Sequence, residues 1–152
     1  MNDWLAILSE PLPLPAVLEF VTDPAAGGIC SFIGTTRSEH NTAGTELIAL
    51  YYEAYEEMAR EQLNAFATRG REKWPIQKLV ILHRIGRVSI AEPSIVIAVS
   101  AAHRDTAFQA CRFLIDTLKA ELAVWKKEIW SDGQQRWVSG VVLAHRAGPQ
   151  RE

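Results

Sequence analysis

The apolar patterns along this chain change period without settling into regular strand–helix alternation, and that order restricts the folds open to it. Two strand-like runs come first, ICSFIG at 29–34 and ELIALYYEAY at 46–55. Between them lies TTRSEHNTAG, a polar loop ending in glycine and longer than most connections, the kind of loop that often carries function. An amphipathic segment follows, EEMAREQLNAFATRGREKW at 56–74, with Met58, Leu63 and Phe66 set among charges and Pro75 as its stop. Two more strand runs then follow each other, QKLVILHRIG at 77–86 and the β-branched PSIVIAVSAA at 93–102. DTAFQACRFLIDTLKAEL, 105–122, spaces Phe108, Cys111, Ile115, Leu118 and Leu122 by three and four residues. That spacing predicts a helix with one buried stripe and Asp105 as its N-cap. VWKKEIW and QQRWVSG flank SDGQ, whose Asp132-Gly133 pair signals a hairpin. PLPAVLEFV at 13–21 predicts a short helix, broken by DPAAGG. Repeated βα units would build a parallel sheet, whereas this order predicts an α+β fold around a largely antiparallel sheet with packed helices.

A chain of 152 residues predicts one domain, 1–152, with about 141–152 as a frayed tail. The formal charge is −2, whereas general nucleic-acid binders are strongly basic, so no nucleic-acid partner is expected and any anion site should be local. Cys30 and Cys111 stand far apart without a CxxC spacing. They read as small buried hydrophobes in a reducing, cytoplasmic setting. MNDWLAILSE lacks a basic n-region, and no apolar run approaches the ~18 residues of a membrane span, so no membrane partner is expected.

The residues that pose a chemical question lie in LKAELAVWKKEIW, 118–130, where three lysines are threaded through apolar surface. Lys119 falls near the end of the predicted helix, where a surface lysine would complement the dipole. In the following strand, alternation puts Lys126 and Glu128 on one face with Trp130, and Trp125, Lys127 and Ile129 on the other. A lysine among tryptophans is either a stem covering apolar surface or an amine partly desolvated for chemistry. His103 and Arg104 precede the helix, where free N–H groups and the dipole favour an anion; the plain alternative is a surface turn. Arg37 in the polar loop is either solvated or a fork for phosphate. His83-Arg84, inside an apolar strand, reads as structural. No carboxylate pair, nucleophile elbow, glycine-rich phosphate loop or metal-ligand cluster is visible, and no cofactor is expected. The residues by themselves describe a cationic pocket for an anionic small molecule.

SAAHRDTAFQAC, LIDTLK, and WKKE followed by DG and W, in this order and at fitting distances, resemble the large, catalytic subunit of molybdopterin synthase. The resemblance extends over most of the chain, from DPAAGGICSFIGTTR to DGQQRWV, and Arg37 followed by Asn41 and Gly44 fits as well. It implies an α/β-hammerhead-like fold and a sulfurtransferase that converts cyclic pyranopterin monophosphate to molybdopterin by inserting two dithiolene sulfurs. The sulfur would come as a thiocarboxylate on the Gly-Gly terminus of a ubiquitin-like small subunit, docked on a homodimer of large subunits within a heterotetramer. By position, Lys119 and Lys126 match the family's catalytic lysines. Arg37, His103, Arg104, Lys127 and Glu128 match substrate-binding positions. Ala123 stands where the family often has proline, which leaves open how the turn between the two lysines is held. The rival expectation is a non-catalytic anion- or nucleotide-binding module built on the same cationic pocket.

Overall fold

A computed structural model describes residues 2–138; the tail expected at 141–152 lies outside them. In chain order the elements are β1 (Asp3–Leu8), α1 (Leu14–Val21), β2 (Gly28–Thr35), β3 (Leu47–Ala54) and α2 (Glu56–Lys73). They continue with β4 (Ile76–Arg84), β5 (Gly86–Ser89), β6 (Pro93–Ala101), α3 (Arg104–Glu121), β7 (Val124–Trp130) and β8 (Gln135–Val138). The fold is α+β, as expected. The strands form two four-stranded sheets, ordered β1-β4-β6-β2 and β5-β3-β7-β8, rather than one. Among the described residues every strand pairing is antiparallel except β1 with β4.

The first sheet explains the apolar runs of β4 and β6, because it is covered on both faces. Leu79, Ile81, Ile95, Ile97 and Val99 point one way, into a core closed by Leu63 and Phe66 of α2 and Leu114 and Leu118 of α3. Val80, Leu82, Val96 and Ala98 point the other way, against Val17 and Val21 of α1. Burying each large aliphatic side chain contributes roughly 1.5–3 kcal/mol, so these two strands are where stability concentrates. The second sheet has a smaller cluster of Leu47, Leu50 and Trp130.

Several local expectations are corrected. MNDWLAILSE, assigned no element from the sequence, contains β1, which joins the sheet edge beside β4 in parallel. QKLVILHRIG ends one strand and begins another: Gly86, at φ +87°, turns the chain out of the first sheet so that β5 can pair with β3. The stripe on α3 runs through Ala107, Ala110, Cys111, Leu114 and Leu118, and Phe108 is 60% exposed. The N-cap of α3 is His103, without a side-chain bond. Asp105 sits in the first turn, where its carboxylate suits the dipole and accepts from Gln109 Nε2 at 2.7 Å. The Asp132-Gly133 hairpin forms as expected, with Gly133 at φ +87°.

The short link from α3 to β7 sets the spacing of Lys119 and Lys126, and α2 holds it. Gln62 on α2 donates through Nε2 to the Glu121 carbonyl at 2.8 Å and accepts the Ala123 N–H through Oε1 at 2.7 Å. The Ala123 carbonyl accepts the Tyr55 N–H at 3.1 Å. Proline has no N–H to give Gln62, so alanine at 123 replaces ring stiffness with a hydrogen-bonded clamp. Gln62→Ala should leave the buried Ala123 N–H without its partner and cost about 1–3 kcal/mol. The thermal midpoint should fall by about 2–4 °C per kcal/mol in a chain of this size. Gln62→Glu keeps the acceptor for the Ala123 N–H but sets a carboxylate oxygen against the Glu121 carbonyl, so it too should fall below wild type; calorimetric melting of both variants provides the check.

Candidate active site

Where the two sheets face each other they enclose a cleft of about 850 Å³. Its walls come from the end of β2 and the loop after it (Phe32 to Glu39), from Leu50 and Tyr52 of β3, and from the β5–β6 turn. Lys119 of α3 and Lys126 and Glu128 of β7 complete the lining. The period-2 reading of β7 holds, since Lys126 and Glu128 share the cleft face with their cross-strand neighbours Tyr52 and Leu50.

Four of the seven residues singled out in the sequence therefore meet: Arg37, Lys119, Lys126 and Glu128. Lys119 is exposed and Lys126 half-buried. Arg37 is 86% exposed at the lip, 3.8 Å from Glu39, a contact open enough to be exchanged for a ligand. Lys127 lies on the other face of β7, with its ammonium 5.3 Å from the Tyr51 ring and 5.2 Å from the Trp137 ring. There its stem covers apolar surface and its charge meets two aromatic faces. His103 and Arg104 are exposed at the far end of α3. Fifteen residues of helix separate Arg104 from Lys119, a rise of about 22 Å, so within one chain this pair does not reach the cleft.

Residues not singled out in the sequence also line the cleft, chiefly Tyr52 and Ser94. The Tyr52 hydroxyl donates to Ser94 Oγ at 3.4 Å, and Ser94 Oγ donates to the Gly34 carbonyl at 3.4 Å. Alternation of β3 places Tyr52 with Leu50, a signal present in the sequence, but its position opposite Lys126 depends on register. The loop that carries Arg37 is folded on Asn41, whose Oδ1 accepts the Ala43 and Thr45 N–H groups, each at 3.0 Å. The two cysteines, distant in sequence, come together: burial first, then the neighbouring Cys30 thiol, pushes Cys111 up to about 12. Among the described residues no group of three or more His, Cys, Asp or Glu side chains is arranged to hold a metal ion. Nor is any helix there long and apolar enough to cross a membrane.

Behind the cleft, His83 is buried, with its ring edge-on to Tyr52 at 5.1 Å and 72°. Its Nδ1 lies 2.8 Å from the Arg84 carbonyl, which can only accept, so Nδ1 carries the proton. Burial lowers its pKa from 6.5 to about 4; the hydrogen bond to Arg84 opposes this, and the charges of Lys119 and Lys126 add to it. A neutral imidazole next to two ammonium groups avoids a third positive charge beneath the cleft.

The family described as MoaE protein matches residues 7–121. A molybdopterin synthase catalytic subunit of Homo sapiens is 41% identical over 131 residues, covering 86% of this chain and 69% of the relative. A crystal structure of molybdopterin synthase from Staphylococcus aureus superposes with a TM-score of 0.81 at 35% identity, covering 88% of this chain and 95% of that one. A complex of subunits 1 and 2 of the molybdopterin-converting factor from Helicobacter pylori superposes with a TM-score of 0.73 over 88% of each chain. At 20% identity that likeness speaks to the fold alone.

The buried His83 has a pH signature. Its folded pKa is depressed, so the unfolded chain takes up the proton first, and stability present above pH ~6.5 is lost as pH falls towards 4. Through this group the protein should lose about 1–2 kcal/mol between pH 7 and pH 5. Urea unfolding of the wild type and His83→Gln across that range checks it: the variant should show the smaller loss.

Proposed function

The chain belongs to the MoaE family, and on that premise we propose that it is the catalytic subunit of molybdopterin synthase, taking sulfur from the thiocarboxylate end of a small-subunit partner. The observation that carries the mechanism is the convergence of Lys119, Lys126 and Arg37 on one cleft. Sulfur transfer to cyclic pyranopterin monophosphate brings together two anions, a thiocarboxylate and a phosphate-bearing substrate. In water, two unit charges 4 Å apart interact by about 1 kcal/mol, and in a partly dry site by several times more. Ammonium and guanidinium groups on the cleft walls offset that repulsion and stabilise oxyanions as they develop.

In this proposal each residue has its own role. Lys119, at the C-terminal end of α3, and Lys126, across from Tyr52 on β7, receive the end of the partner's tail. Arg37, exposed at the lip, takes the substrate phosphate. Glu128 lies two residues beyond Lys126 on the same face, where its carboxylate accepts N–H groups of the pterin. A folded domain cannot enter a cleft of about 850 Å³, whereas a glycine tail without side chains can. Exposed Phe32 and Ile33 beside the opening add apolar surface for docking. In the homodimer we infer for this family member, His103 and Arg104 serve the cleft of the second copy. That accounts for cationic residues about 22 Å from the lysines of their own chain.

Two experiments test this. Under anaerobic conditions, wild type supplied with a thiocarboxylated small subunit should convert the cyclic pterin. Lys119→Ala should nearly abolish turnover with its melting temperature retained; turnover within a few-fold of wild type would remove Lys119 from the chemistry. Binding without turnover by the wild type would favour the non-catalytic module. Second, Lys119→Ala and Arg104→Ala dimers, each inactive alone, should regain activity when subunits are exchanged, because each mixed dimer holds one cleft with both residues intact. If mixing restores nothing, His103 and Arg104 do not act across the dimer.

A further inference from the structure

Tyr52 is held in the cleft from three sides. Its strand, β3, is paired with both neighbours at this position, with Gly86 of β5 on one side and Lys126 of β7 on the other. The ring rests edge-on against His83, which belongs to the other sheet. Only the hydroxyl is loosely engaged. Both links of the chain Tyr52–Ser94–Gly34 measure 3.4 Å, well beyond the usual ~2.7–2.8 Å of an O–H···O bond. A fixed ring with an under-used donor, beside a lysine and lining a cleft, is placed to engage an incoming acceptor.

We propose that the Tyr52 hydroxyl is a binding group of this cleft, turning from Ser94 to donate to a carboxyl oxygen at the end of the partner's tail. This rests on the tail-in-cleft reading above and adds a residue to it. A carboxylate offers about four lone-pair sites, more than two ammonium groups on flexible stems will hold in one geometry. A donor whose position is set by strand register supplies the missing direction. Burial raises the pKa of Tyr52, an effect partly opposed by its bond to Ser94, so the hydroxyl keeps its proton and remains a donor. Ser94 is the resting partner, and its own bond to the Gly34 carbonyl survives when Tyr52 turns away.

The experiment measures the affinity of the small subunit in two forms, one ending in its Gly-Gly carboxylate and one shortened by both glycines. Each is titrated calorimetrically into wild type, Tyr52→Phe and Ser94→Ala. Tyr52→Phe keeps the ring against His83 and removes only the hydroxyl. It should weaken the full-length form roughly tenfold, as expected for a lost hydrogen bond to a charged group, and leave the shortened form unchanged. Ser94→Ala removes the resting partner that Tyr52 leaves on binding, so it should bind the full-length form at least as tightly as wild type does. Three results would overturn the proposal: unchanged affinity of Tyr52→Phe for the full-length form, equal weakening for both forms, or the same pattern in Ser94→Ala. If wild type binds the two forms equally, the tail does not reach the cleft, and the underlying reading falls together with the proposal.

Discussion

Burial of β4 and β6 on both faces is the constraint from which the rest of the architecture follows. Strands with side chains such as Leu79, Val80, Ile81 and Leu82 in succession have no face to give to water. They require α1 on one side and α2 with α3 on the other. Once α3 is pinned by Leu114 and Leu118, its last turn and Lys119 have a fixed place. Because β2 is the neighbour of β6, the loop leaving β2 emerges above that same turn and brings Arg37 to the cleft. The cationic site is thus a consequence of how an apolar sheet is covered.

The second sheet makes the cleft two-sided. The positive-φ turn at Gly86 takes the chain from one sheet to the other, and β5 then pairs with β3 where β3 pairs with β7. The seam between the sheets carries the polar contacts: His83 against Tyr52, and Ser94 between Tyr52 and Gly34. Charges line the opening and neutral groups lie behind them, an arrangement that concentrates positive potential where an anion enters. The Gln62 clamp matters for the same reason, since Lys119 and Lys126 lie on different elements and the link between them helps to hold their separation.

Much of this was legible in the sequence because it depends on period and on local chemistry. The helices near 14–21, 56–73 and 104–121, the strands that supply the cores and the Asp132-Gly133 hairpin follow from hydrophobic spacing and turn residues. The face shared by Lys126 and Glu128 follows from alternation alone. The division of roles along α3 was less legible. Phe108 fits the three- and four-residue spacing as well as its neighbours do, yet it lies outside the stripe that packing selects. Asp105 is a good capping residue by type, yet the chain enters the helix at His103, so the carboxylate acts within the first turn.

What the sequence determined by itself is which segments are helix or strand, which side of most of them is apolar, and that three lysines are threaded through one apolar stretch. Only the tertiary structure decided how many sheets there are, which strands neighbour one another and which charged residues meet. The physical reason is that strand pairing is non-local. Period says which face a side chain takes, but not that Tyr52 stands opposite Lys126 or that β1 adds in parallel beside β4. Distance along a helix is likewise a matter of geometry: motif order put His103 and Arg104 together with Lys119, and the rise of α3 separates them within one chain.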